Sequence, residues 1–143
     1  MDDRWFPTAV SNRLILTVDV VGRPATFGTS QEKDWRLAVA ASCAPAVQAD
    51  QYDPLTARFA VAVDFRTPAP THSGEVWDLD NLVKPTLDAM ESVFGKRKWL
   101  GVPQPADDRV DRLEASKRTV RPGETAGALI QVWVMDYQEA PEG

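Results

Sequence analysis

The stretch Arg58–Arg66, RFAVAVDFR, decides the fold. Phe59, Val61, Val63 and Phe65 alternate with Ala60, Ala62 and Asp64 between Pro54 and Pro68, and a period of two over this length is the pattern of a strand. A loop over 67–76 then leads to Trp77–Met90, WDLDNLVKPTLDAM. From Val83 onward, Val83, Leu87, Met90 and Phe94 recur at i, i+4, i+7 and i+11, which predicts an amphipathic helix ending near Gly95. Upstream, Arg13–Val21 (RLILTVDVV) sets Leu14, Leu16, Val18 and Val20 against Ile15, Thr17, Asp19 and Val21, a second strand. Between the two strands, Thr29-Ser30-Gln31-Glu32 has the form of a capping box, and Trp35, Ala38, Val39, Ser42 and Cys43 follow at helical spacing until Pro45. Downstream, Asp107-Asp108 stands in a Pro-flanked turn, Arg109–Arg118 fits strand or helix, and Ala128–Tyr137 closes the chain as a strand. The order β-α-β-α-β-β predicts a single α+β domain over residues 1–143, a mixed sheet with two main helices packed on it.

With 143 residues, 43% hydrophobic and 26% charged, the composition is that of one soluble globular domain able to bury its own core. No apolar run approaches the roughly 18 residues of a membrane span, so no membrane partner is expected. The start, MDDRWFPTAVSNR, has two acids and lacks the basic, then apolar, pattern of a secretory signal. A cytoplasmic location is the expectation. A single cysteine, Cys43, excludes an internal disulfide and reads as a small buried hydrophobe. With one histidine, His72, in a Pro-rich loop, a metal site would consist of oxygen ligands, which suits magnesium or manganese and not zinc.

The net charge of −5 argues against indiscriminate binding to nucleic acid. Its distribution is uneven. Between Gly95 and Arg121 eight basic residues face four acidic ones, a balance of +4, which leaves −9 for the rest of the chain. Within 77–90, Asp78 and Asp80 stand two apart where the chain is expected to be extended, which would turn both carboxylates to one side. Such a pair repels itself unless a cation lies between, and a hard divalent ion relieves the cost. Asn81, Lys84, Asp88 and Glu91 follow at i, i+3, i+7 and i+10, placing an ammonium one turn after the acids. Pro85, without an N–H, is expected in the first helical turn. The competing reading is a capped helix with a Lys84–Asp88 ion pair. An EF-hand beginning at Asp78 fails at Leu82, Val83 and Ala89, and 143 residues leave little room for a sugar-nucleotide transferase that uses an Asp-x-Asp pair.

The spaced set Asp78-Leu79-Asp80-Asn81-Leu82-x-Lys84-x-x-x-Asp88-Ala89, then Asp107-Asp108-Arg109-Val110 and a strand holding Lys117, closely resembles the RusA family of Holliday-junction resolvases. More weakly, the similarity extends over nearly the whole chain. What the resemblance implies is a homodimeric, Mg²⁺-dependent endonuclease, with Mn²⁺ as a substitute, that cuts branched DNA such as a four-way junction; a bacterial or prophage setting goes with it. By position, Asp78, Asp80 and Asp108 match the family's metal-binding aspartates and Lys84 its essential lysine. Asp107 and Asp88 match supporting positions, and Asn81 is expected to cap the helix. Basic residues often precede the first aspartate in the family, whereas here the approach is His72-Ser73-Gly74-Glu75-Val76-Trp77. Lys96, Arg97, Lys98 and Trp99 are the expected DNA contacts in its place, against a competing reading of helix-end neutralisation and a core Trp, and Arg109 and Lys117 are further expected contacts. The alternative is a RusA-like branched-DNA-binding or accessory protein with weak or no nuclease activity.

Overall fold

The computed structural model describes residues 10–72, 75, 77–99 and 101–137, with backbone alone at 10, 11, 97–99, 102–105 and 137. The elements are β1 (Val10–Val21), α1 (Glu32–Ala46), β2 (Phe59–Thr67), α2 (Leu79–Asp88), α3 (Glu91–Phe94), β3 (Lys96–Trp99), β4 (Val102–Pro105), β5 (Val110–Thr119) and β6 (Gly127–Tyr137), with short 3-10 turns at Ala49–Gln51 and Asp107–Arg109. The fold is α+β with a mixed sheet, as the sequence predicts. Four strands lie in the order β1-β6-β2-β5, with β2 and β5 parallel and the other pairs antiparallel. Although β5 and β6 are consecutive, β2 lies between them. Arg109–Arg118, ambiguous by periodicity, falls largely within β5 because its backbone pairs with β2 from Phe59↔Val110 to Thr67↔Thr119.

Core packing explains where local expectations depart from this. In β1 a bulge at Ile15 shifts the pairing between Leu14 and Leu16. Ile15 and Leu16 are both buried as a result, while Leu14 is 46% exposed, because the extra residue reverses the alternation on one side of it. The carbonyl of Ile15 accepts a hydrogen bond from the Gln48 N–H at 2.9 Å, which ties the bulge to the end of α1. The capping box does not form: the Thr29 hydroxyl donates to the Thr26 carbonyl, and Glu32 accepts from the Gly28 N–H. Pro45 lies inside the last turn of α1, which runs one residue further before the backbone extends at Val47. Cys43 is fully buried and its thiol is pushed up to about 11 by loss of water, as suits a packing residue.

The helix expected to run to Gly95 is divided. Met90 N–H bonds the Leu87 carbonyl, three residues back, so the ladder tightens and stops, and α3 restarts at Glu91. Leu87, Met90 and Phe94 still face the core across the break. Gly95, at φ +79°, then turns the chain into the β3–β4 hairpin, which periodicity alone did not indicate. Pro85 sits seven residues into α2 and not in its first turn. Having no N–H, it leaves the Asn81 carbonyl without its helical partner. That carbonyl accepts the N–H of Phe27 at 2.9 Å. A helix-breaking residue thereby becomes the point at which the segment after β1 is attached to α2.

The direction of α2 along β2 follows from contacts at both ends. Buried Trp35 lies 6.4 Å from Phe65, near the end of β2, and its Nε1–H donates to Thr86 Oγ1 at 2.9 Å. Phe94 meets Phe59, the first residue of β2, at 5.1 Å. The helical segment therefore runs antiparallel to the strand. Thr86 in turn donates to the Leu82 carbonyl at 2.8 Å, so its one hydroxyl serves both neighbours. Thr86→Val should leave the indole N–H unpaired in the core and lower the unfolding free energy by about 1–3 kcal/mol. Urea titration of Thr86→Val, Trp35→Phe and the double variant should show that the second change costs less once the first is made.

Candidate active site

The start of α2 is held in place by its apolar neighbours. Trp77 is buried under the guanidinium of Arg23, 5.6 Å from the ring centroid, and Leu82 is wholly buried one turn into the helix. Asp78 is the residue from which the helix begins; its carbonyl accepts the Leu82 N–H at 3.1 Å. Its carboxylate makes no capping bond. Asn81 lies in the first turn, so the expected cap is displaced to Asp78 by three positions. The helix begins at Leu79, and the spacing of Asp78 and Asp80 is that of a helix start and not of an extended strand. Both are exposed, and neither side chain makes a hydrogen bond or ion pair among the described residues. Two carboxylates thus stand at the positive end of a helix dipole, a favourable place for negative charge.

Lys84 follows one turn later, exposed, with Nζ 3.4 Å from Asp88 Oδ2 and 5.5 Å from the centre of the Phe27 ring. The contact with Phe27 depends on the Asn81 carbonyl described above, which brings that loop over the helix. The Arg23–Glu75 pair, at 2.9 Å, was not legible in sequence: the acid in the approach to Asp78 is balanced by a cation 52 positions earlier. Arg23, Thr26, Gln31, His72, Glu75 and Trp77 line a cavity of about 230 Å³ beside the start of α2. The only signal for it is the Gly22-Arg23-Pro24 turn, which names no partner. Ser73, Gly74 and Val76 lie outside the described residues.

Asp107 and Asp108 occupy a different part of the molecule. Their 3-10 turn is tied to the end of α3: the Ala106 N–H donates to the Gly95 carbonyl at 2.9 Å, and Arg109 Nη1 donates to the carbonyls of Phe94, at 2.8 Å, and Pro54. Arg58, immediately before β2, donates to the Asp108 carbonyl at 3.2 Å and pairs with Asp111. Asp108 thus lies at the beginning of β2, whereas Asp78 and Asp80 lie beyond its end. Nine residues of strand and some fifteen of helix separate them, so the span is on the order of 20 Å. Among the described residues no three acids, histidines or cysteines gather closely enough to hold an ion. Asp78, Asp80 and Asp108 of one chain therefore do not fit a single metal ion.

The basic residues are equally divided. Arg109 is occupied by two carbonyls, and Lys96 pairs with Glu91 at 3.0 Å. The side chains of Arg97, Lys98 and Trp99 lie outside the described residues; their backbone forms β3. Lys117 lies in a groove of about 400 Å³ with Asp64, Arg66 and Arg118. There Arg66 pairs with Asp19, and Arg118 holds the Glu124 carboxyl down at about 2 through a 2.6 Å bond. Lys117 is exposed and makes no ion pair among the described residues.

The model of the family described as Endodeoxyribonuclease RusA matches residues 7–97, well over half the chain. The chain belongs to the RusA family. RusA proteins are endodeoxyribonucleases of branched DNA, generally dependent on a divalent metal. The match contains Asp78, Asp80, Lys84 and Asp88, and it ends before Asp107, Asp108 and Lys117. Comparison with curated proteins returned no match. No helix among the described residues is long and apolar enough to cross a membrane.

Thr71, through its hydroxyl and its N–H, and then Arg23 hold the Glu75 carboxyl below its usual range. Because the folded state lowers this pKa, the stabilisation is full above the unfolded value and is lost as pH falls through the folded one. Glu75→Gln should melt below the wild type at neutral pH. That difference should begin to shrink as pH falls below the ordinary glutamate value of about 4.3 and close as the lowered folded value is passed, and thermal melts of both proteins from neutral to acid pH would show it.

Proposed function

We propose that this RusA-family chain is a homodimeric, magnesium-dependent endonuclease, with manganese as a substitute ion, that resolves Holliday junctions or related branched DNA by hydrolysing phosphodiesters. The observation that carries this reading is the start of α2. Asp78 stands at the capping position without capping, Asp80 stands exposed and unpaired beside it among the described residues, and Lys84 follows one turn on. A helix needing only to be started would use one of those carboxylates on its own N–H groups. Here both remain available.

In hydrolysis a water oxygen attacks phosphorus, the ester P–O bond breaks, and negative charge grows on the non-bridging oxygens. Lys84 is the group placed to meet that charge, and Asp88 restrains its ammonium at 3.4 Å. The N-terminal N–H groups of α2 add the positive end of a helix. Lys96, Arg97, Lys98 and Trp99 on the β3 arm and Lys117 on β5 are the proposed contacts to the DNA backbone. With a net charge of −5, binding should rest on the shape of the junction and fall with salt.

Purified protein given Mg²⁺ and a synthetic four-way junction should make symmetric paired nicks. Asp80→Asn should abolish them, and cutting by that variant at the wild-type rate would sink the reading. Lys84→Ala should retain junction binding in gel shifts and lower the single-turnover rate by about 10²–10³-fold.

A further inference from the structure

We infer that the groove between α1 and the junction of α2 with α3 is a further DNA-contact surface, in which Lys33 and Arg36 hold backbone phosphates of the strand that continues from the phosphate met by Lys84. This rests on the nuclease reading above, which places that phosphate at the start of α2. The groove has a volume of about 440 Å³, and Lys33, Arg36, Leu37, Ala40, Asp88 and Glu91 line it. Its two walls are fixed to each other, because the buried Trp35–Thr86 bond joins α1 directly to α2.

The charges around the groove are of two kinds. Every acid that lines it has a partner: Glu32 accepts the Gly28 N–H, Asp88 pairs with Lys84 at 3.4 Å and Glu91 pairs with Lys96 at 3.0 Å. Lys33 and Arg36 are exposed and make no hydrogen bond or ion pair among the described residues. Asp34, in the same turn, does not line the groove. The α1 wall therefore presents uncompensated positive charge, while the acids of the opposite wall are neutralised. On a chain with a net charge of −5, such a wall is a part that attracts a polyanion.

Continuity with the start of α2 selects DNA as that polyanion. Asp88 belongs to both places: it lines the groove, and it restrains the ammonium of Lys84, which lies one turn earlier, about 6 Å along the axis. A strand with one phosphate at Lys84 that runs on toward the end of α2 enters the groove next. Lys33 and Arg36 stand three apart on α1 and so share one side of it. Leu37, 59% exposed beside them, offers an apolar surface to deoxyribose. Cations flanking an apolar strip follow a backbone without reading bases. An acidic peptide would meet the same two cations, but nothing would lead it there from Lys84.

The test reads affinity, salt dependence and position separately. Without divalent ion, so that nothing is cut, Lys33→Ala and Arg36→Ala should each weaken binding to a synthetic four-way junction about tenfold at fixed salt. Each should also lower the slope of log K against log salt by about 1. Arg13→Ala removes the same charge beyond the other end of α1, where Arg13 donates to the Gln51 carbonyl, and should change neither quantity. Leu37→Cys supplies the position: Cys43 is buried, so an alkylating reagent labels the introduced thiol alone, and bound junction should protect it. If the wild type cuts a junction in Mg²⁺ while both alanine variants bind with its affinity and slope, the groove is overturned and the nuclease reading stands. If the wild type binds junctions without cutting them, the nuclease reading falls, and the affinity, slope and protection still decide the groove. Protection of the introduced thiol by polyglutamate and not by DNA gives the groove to an acidic protein partner and overturns the inference. A wild type that binds no branched DNA overturns both.

Discussion

The antiparallel attachment of α2 to β2 is the constraint on which the rest of the structure depends. β2 is the most deeply buried strand, with Phe59, Ala60, Val61, Ala62, Val63, Phe65 and Thr67 all inside. A helix laid over such a strand has freedom to slide and tilt that apolar contact alone does not remove, since burial is not directional. Two local contacts remove it here. The Trp35–Thr86 hydrogen bond, desolvated and directional, fixes one end, and the edge-to-face contact of Phe59 with Phe94 fixes the other. Once those are set, the position of every residue from Asp78 to Gly95 along the strand is determined.

Everything chemical follows from that placement. The start of α2 projects past the end of β2, so Asp78, Asp80 and Lys84 emerge into solvent while Leu82, two positions from both Asp80 and Lys84, is buried. The missing N–H of Pro85 frees a carbonyl that brings Phe27 over Lys84, and Arg23 comes with the same segment to balance Glu75. At the far end, Arg109 spends its charge on two carbonyls to hold the Asp108 turn against α3. The chain thus presents carboxylates at two separated points of one rigid layer.

Much of the fold could be read directly. RFAVAVDFR is a strand and the 83–94 stripe is helical because alternation and the 3.6-residue turn are properties of short segments, and both patterns bury the residues they point to. The readings that failed depended on something remote. The bulge at Ile15 arises from pairing with β6, more than a hundred residues later. Thr29 could cap α1, but the Thr26 carbonyl competes for its hydroxyl. The β3–β4 arm, with prolines at 103 and 105, has no alternating apolar run in its sequence, and its backbone pairs as a two-stranded sheet separate from the main one.

What the sequence by itself determined is chemical: which side chains can hold a hard cation or a phosphate, and the recurring spacing that marks a RusA protein. Those are matters of residue identity and local separation, which the linear order states outright. Where the two groups of acids stand relative to each other was decided only by tertiary structure. The 28 positions between Asp80 and Asp108 contain a helix break, a glycine turn and a hairpin, and each could direct the chain either way. The hydrogen bond at Thr86, the aromatic contact at Phe94 and the parallel register of β5 on β2 select one path, and these interactions join residues that no local pattern connects.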